Sequence, residues 1–257
     1  MMSDVKPYVP VKRLGLDLFK KGRVFAVGDL HGCFDLLMRG LDRINFNTSH
    51  DTLISVGDLI DRGPRSLDVL KLLHEPWFYA VRGNHEDMLL NAARSPEDRK
   101  ILRENGGQWW FELPFSEQRE AVELAQSMPI AIQIDSPIGV VGVIHADILN
   151  TQNWDVFTYL LKTGDLRVIQ AAMWGRQRIK ARGEAWVEDA PRIFAGHTIV
   201  PKPGRLGNVF YLDTGAFFIE APSPAAHERP ALTIASITCN SMDFSSSEVK
   251  DGLRIIL

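Results

Sequence analysis

Five short apolar runs in this chain each end on a polar donor. Val24-Phe25-Ala26-Val27-Gly28 leads into Asp29, Leu30 and His31, and Leu53-Ile54-Ser55-Val56-Gly57 leads into Asp58. Phe78-Tyr79-Ala80-Val81-Arg82-Gly83 ends on Asn84, Val140-Val141-Gly142-Val143-Ile144 on His145, and Ile193-Phe194-Ala195-Gly196 on His197. Asp29, His31, Asp58, Asn84, His145 and His197 are carboxylate, imidazole and amide donors without a thiolate. That set suits manganese, iron, zinc or magnesium. Six donors are too many for a closed structural zinc site. They are about right for two ions sharing a bridging carboxylate, a clamp that at a spacing of roughly 3.5–4 Å serves hydrolysis at phosphorus.

A lone Gly-Asp is ordinarily a turn, and a lone histidine after a strand is ordinarily structural. Here His31, His85, His145 and His197, four of seven histidines, fall at these run ends, and that coincidence favours a site. Asp61 lies three residues past Asp58, and His85 follows Asn84. A carboxylate bonded to an imidazole orients it and raises its basicity, as a general acid for a leaving alcohol requires. Arg62 adds a planar fork for phosphate oxygens. Cys33 reads as a small buried side chain, Trp109, Trp110 and Phe111 as core packing under a lid with the lining of a substrate cleft as the alternative, and His50 and His74 as structural.

These donors need strands to carry them. Apolar runs of four to six bounded by glycines read as buried strands, and reactive groups gather where strands of an α/β sheet end. Helical spacing over Phe34 to Ile44, beyond Pro64, and over 86–94 gives a βαβ order and a largely parallel sheet. Residues 95–129 read as a polar helical insertion. From Ile130 onward strands are expected at 130–134, 140–145, 193–197, 209–213, 217–220 and 232–237. No helices are expected between them, so they form a second, partly antiparallel sheet. The fold class is α/β (α+β): two packed mixed sheets flanked by helices in one domain at 22–238. Residues 1–21 form an N-terminal extension, loose or an edge strand, and 239–257 form a serine-rich C-terminal tail.

A chain of 257 residues with 45% hydrophobic and 24% charged residues suits a soluble globular domain. The net charge of -3 argues against binding driven by nucleic acid phosphates. Two cysteines supply no disulfide framework, and no stretch reaches 18 apolar residues, so a cytoplasmic protein without a membrane partner is expected.

Gly28-Asp29-Leu30-His31-Gly32, Gly57-Asp58-Leu59-Ile60-Asp61-Arg62-Gly63 and Arg82-Gly83-Asn84-His85-Glu86 resemble the three signature blocks of the phosphoprotein phosphatase family. The likeness is to its compact bacterial and phage members and covers roughly 22–220. It extends through Pro76-Trp77-Phe78, Asn105-Gly106-Gly107, His145-Ala146-Asp147, Trp174-Gly175-Arg176, Gly196-His197-Thr198 and Asp213-Thr214-Gly215. The resemblance implies a calcineurin-like metallophosphoesterase fold and a serine/threonine protein phosphatase, with activity on phosphotyrosine left open. It implies Asp29 and His31 on one metal, Asp58 bridging, and Asn84, His145 and His197 on the second. It further implies His85 as the acid paired with Asp61, and Arg62, Arg176 and Asn84 on the phosphate. Two divalent ions, typically manganese, and direct attack of a hydroxide bridging them follow from the same likeness, with phosphorylated proteins or peptides as partners. Two other functions compete: a dinucleoside polyphosphate hydrolase of the same superfamily, whose members generally lack the equivalent of Asp61, and a non-catalytic metal-binding regulator.

Overall fold

The computed structural model describes residues 8–149, 153–224, 226, 228–238 and 248–257. Among these are twelve strands, numbered β1–β12 in chain order, in two six-stranded sheets. The first sheet runs β1 (Val9–Leu14), β5 (Pro129–Ser136), β6 (Gly139–Ile144), β7 (Arg192–Ala195), β9 (Val209–Tyr211) and β8 (Gly204–Leu206). The second runs β11 (Val249–Lys250), β12 (Leu253–Ile256), β10 (Leu232–Ser236), β2 (Val24–Val27), β3 (Thr52–Ser55) and β4 (Phe78–Ala80).

Period-2 alternation builds the layers. Val24 and Ala26 of β2 turn into the space between the sheets, and Phe25 and Val27 turn out towards helices. Across that space stand Ile132, Ile134, Val141, Val143, Phe194 and Phe210 from the first sheet. The outer face of the second sheet is covered by helices Phe34–Arg43, Ser66–Lys71 and Asn84–Arg94 and by the three helices of the insertion, Asp98–Glu104, Gln108–Glu112 and Phe115–Ser127. The first sheet is covered by Trp154–Thr163 and Leu166–Trp174. The result is four layers, helix–sheet–sheet–helix.

Three expectations are corrected. Residues between His145 and Ile193 are not helix-free: they form Trp154–Thr163, Leu166–Trp174 and Gln177–Ala181. Asn153 Oδ1 accepts from Val156 N to cap the first, and Gly164 ends it at φ 87°. Residues Phe217–Glu220 are one helical turn, not a strand; an apolar run of four carries too little periodicity to separate the two. Finally, β11 and β12 make part of the segment set apart as a tail belong to the second sheet, with β12 parallel to β10. Cys239 and residues 240–247 lie outside the described residues. In the N-terminal segment, Val9–Leu14 is an edge strand parallel to β5.

Strands β2, β3 and β4 are mutually parallel, as are β6, β7 and β9. Their C-terminal ends deliver Asp29, Asp58, Asn84, His145, His197 and Asp213 to one edge shared by both sheets.

Candidate metal centre

The donors converge on Asp58. Its carboxylate lies 3.6 Å from His31 Nε2 and 3.4 Å from His145 Nε2. Asn84 Oδ1 sits 2.9 Å from His145 Nε2 and 2.8 Å from His197 Nδ1. Two clusters of metal-ligating side chains share Asp58: His31, Asp58 and His85, and Asp58, His145 and His197. Asp29 stands at the same edge, with both carboxylate oxygens accepting from His197 N at 3.2 and 3.0 Å. The approach is close enough that a Cβ on Gly83 would overlap the Asp58 carboxylate. His31, Asp58, Asp61, Arg62 and His197 all adopt positive φ, between 42° and 72°. Non-glycine residues hold such strain where a surrounding structure dictates it, and that clustering marks functional sites.

A second constellation adjoins the first. His85 Nδ1 lies 2.7 Å from Asp61 Oδ2, and Asp61 is fully buried. Arg62 reaches between two rings, with Nη1 2.8 Å from His31 Nε2 and Nη2 3.0 Å from His85 Nε2. Its guanidinium lies over the Phe217 ring at 4.5 Å, and Phe217 packs edge-on against His31. Arg176 is exposed on the turn before helix Gln177–Ala181, and its charge helps to depress His197. Its neighbour Arg178 is buried and donates to Gly183 O and Ala185 O, a structural role.

Burial and mutual repulsion set the charges here. Burial, then the charges of Asp213 and Asp58, push Asp29 well above the usual carboxylate range. Burial pushes Asp213 to about 6 and Glu86 to about 7, the latter also under the field of Asp58. Burial would raise Asp58 too, but the imidazoles of His145, His85 and His31 hold it well below its ordinary value. Burial and then the Arg62 charge lower His31, and burial lowers His197 to about 3.

These residues fit a pair of divalent ions. His31 Nδ1 is tied to Ile60 O and His145 Nδ1 to Val56 O, each at 2.8 Å, which aims both Nε2 atoms at Asp58. Such anchoring of the far nitrogen is the usual support for a metal-bound imidazole. His197 Nε2 is buried without a hydrogen-bond partner. Crowded, buried carboxylates that raise one another's pKa call for added positive charge.

Three contributors escaped the sequence reading. Asp213 follows β9 at a sixth run end, where Leu212 stands in place of the glycine that immediately precedes Asp29, Asp58, Asn84 and His197. Glu86, wholly buried, accepts from Gly83 N at 2.7 Å, Asp58 N at 3.2 Å and Leu59 N at 2.7 Å, and so clips two loops together. Its signal was a carboxylate two residues past the candidate donor Asn84, within the helix Asn84–Arg94. Trp109, read as packing, donates its indole N–H to Asp61 Oδ1 at 2.7 Å.

The calcineurin-like phosphoesterase family model matches residues 22–213, three-quarters of the chain. The chain belongs to this family. Serine/threonine-protein phosphatase 1 of Salmonella typhimurium strain LT2 is 39% identical over 200 residues, covering 76% of this phosphoesterase and 87% of the relative. A symmetrical bis(5'-nucleosyl)-tetraphosphatase of Xanthomonas axonopodis pv. citri is 35% identical over 126 residues, 48% of this chain and 38% of the relative. A crystal structure assigned to a diadenosine tetraphosphatase superposes with a TM-score of 0.61 at 22% identity, covering 90% of this chain and 95% of that one. A Saccharomyces cerevisiae protein serine/threonine phosphatase superposes at 0.58 with 16% identity, covering 95% and 86%. Both share the calcineurin-like phosphoesterase fold.

Proposed function

We infer that the chain is a metal-dependent protein phosphatase acting on phosphoserine and phosphothreonine, with phosphotyrosine as a further substrate class. The observation that carries this reading is the buried His85–Asp61 pair at 2.7 Å beside the Asp58 clusters. An alkoxide leaves phosphorus poorly without a proton, whereas the nucleotide released from a dinucleoside polyphosphate leaves as a stable anion. A positioned acid therefore serves phosphomonoesters of alcohols. The phosphatase relative also matches over most of its length, against 38% of the tetraphosphatase.

In this reading Asp29 and His31 hold one ion, Asp58 both, and Asn84, His145 and His197 the other. When bound, such ions activate water and neutralise charge on the phosphoryl oxygens. Arg62 and Arg176, with Asn84, grip the phosphate, the guanidinium forks matching its oxygens. Asp61 orients His85 through Nδ1, and Nε2 passes the proton to the departing oxygen. Manganese is the ion we assign, because oxygen and imidazole donors accept it readily, with iron, zinc and magnesium as competitors. A cytoplasmic setting agrees with Cys33, a buried free thiol.

The test compares manganese-supported hydrolysis of phosphoserine, phosphothreonine and phosphotyrosine peptides with that of diadenosine tetraphosphate. Phosphopeptides should be cleaved faster, and preferential cleavage of the dinucleotide would overturn the assignment. His85→Asn should lower kcat by about 100-fold or more, the scale of general acid catalysis, with metal stoichiometry unchanged by calorimetry. Loss of an ion in that variant would make His85 a ligand instead, in keeping with its place in the His31–Asp58–His85 cluster.

A further inference from the structure

The helical insertion does more than cover the second sheet. Its Gly106–Trp109 turn touches the Asp58–Gly63 loop at two consecutive residues. Arg62 N donates to Gly106 O at 3.3 Å, and a Cβ on Gly106 would stand 2.7 Å from Arg62 N. One residue earlier, the Trp109 indole N–H donates to Asp61 Oδ1 at 2.7 Å. Asp61 is fully buried, its N donates to Ser66 Oγ at 2.9 Å, and its other carboxylate oxygen serves His85. Both carboxylate oxygens are therefore engaged, one by the insertion and one by the proton donor.

We propose that Trp109 is a positioning residue for leaving-group protonation: its indole N–H fixes the Asp61 carboxylate so that His85 is held in the orientation that delivers the proton. The inference rests on the reading of His85 as the acid. Without the indole donor, Oδ1 is a buried acceptor without its partner, and the carboxylate is free to turn about its Cβ–Cγ bond. The imidazole then loses its fixed support, although the indole hydrogen bond goes to Asp61 and not to His85 itself. The insertion thereby becomes part of the catalytic apparatus, with Gly106 seating Arg62 and Trp109 seating Asp61.

A merely structural tryptophan and a positioning one differ in how the loss depends on the leaving group. In the manganese-loaded enzyme, Trp109→Phe should lower kcat for a phosphoserine peptide by about 10- to 100-fold with KM within about twofold. Hydrolysis of 2,4-dinitrophenyl phosphate, whose phenolate leaves without a proton, should fall by less than about threefold. His85→Asn should show the same selectivity, and the double variant should be no worse than His85→Asn alone. If Trp109→Phe folds poorly, benzothienylalanine incorporated at position 109 keeps the ring shape and deletes only the N–H. It should reproduce the selective loss at a thermal midpoint close to that of the native enzyme. As a readout apart from turnover, the Trp109 indole proton should resonate far downfield in the zinc-loaded protein and move upfield in Asp61→Ala. Equal losses on both substrates, or no loss with benzothienylalanine, would overturn the proposal. If His85→Asn itself lacked leaving-group selectivity, the reading of His85 as the acid would fall with it.

Discussion

Arg62 joins the parts of this site. Its two terminal nitrogens contact His31 and His85, its main chain leans on Gly106, and its guanidinium rests on Phe217. A lysine carries the same charge but neither the fork nor the flat face. Arg62→Lys should therefore lower kcat/KM for phosphopeptides by about 100-fold, comparable to removing one preorganised donor from an oxyanion site. Phe217→Ala removes the ring beneath it, an interaction of about 1 kcal/mol, together with the edge contact on His31. Its kcat/KM should fall about three- to tenfold, and steady-state kinetics on one phosphopeptide would separate the two effects. The convergence of donors at this scale was largely legible in the sequence. Asp29, His31, Asp58, Asn84, His145 and His197 announce themselves because a strand end followed by a donor is a local pattern. Phe217 and Trp109 do not, because their value lies in what the fold brings against them from 155 and 48 positions away (217 − 62 and 109 − 61). Asp213 falls between these cases, since its strand end lacks the glycine that immediately precedes Asp29, Asp58, Asn84 and His197.

Elements were readable in proportion to how much of their pattern was local. The βαβ half was clear, because glycine-bounded apolar runs alternate there with segments at helical spacing. Trp154–Thr163 was missed although Trp154, Phe157, Thr158 and Leu161 are buried at i, i+3, i+4 and i+7, and Asn153 caps it. Strand-like runs at 140–145 and 193–197 dominate the apolar pattern on either side of it. The closing strand β12 was missed for another reason: four residues containing a buried Arg254 after a serine-rich stretch look like a tail. Only pairing with β10 explains it, with Leu253 turned to the helix-covered face and Ile256 to the space between the sheets. Leu253→Ala should cost about 2–5 kcal/mol, the range for emptying a buried leucine site. Ending the chain at residue 238 should cost more, because it also bares the β10 edge. Urea denaturation followed by circular dichroism would check both, and a truncated chain as stable as the full one would restore the idea of a dispensable tail.

For the molecule as a whole, a modest net charge of -3 conceals a concentrated one: Asp29, Asp58, Asp61, Glu86 and Asp213 are all buried at one sheet edge. Folding without metal must therefore work against these carboxylates, and Glu86 gives a way to measure how much. Its pKa rises from 4.5 to about 7 on folding, through burial and then Asp58. Between those values the folded state binds the proton that the unfolded state has released, so this contribution is largest below pH 4.5 and is lost as pH climbs through about 7. Asp29 and Asp213, raised on folding, work in the same sense as Glu86, and His31 and His197, lowered on folding, in the opposite one, so the raw profile of the protein mixes them all. Subtracting Glu86→Gln cancels the groups that both proteins share, apart from Asp58 and His145, whose charges act on Glu86 itself. In metal-free protein the stability of the native chain relative to this variant should fall by about 2 kcal/mol between pH 5.5 and 8. Saturating manganese should shrink that fall, because bound cations favour the ionised carboxylate and at 100 times Kd add about 2.7 kcal/mol to the folded state. Urea titrations with and without chelator across this range make the comparison. A difference that stays flat or rises with pH would mean that Glu86 is already ionised in the metal-free fold. Its three backbone N–H partners would then outweigh its burial, and the site would be preformed for cations rather than assembled by them.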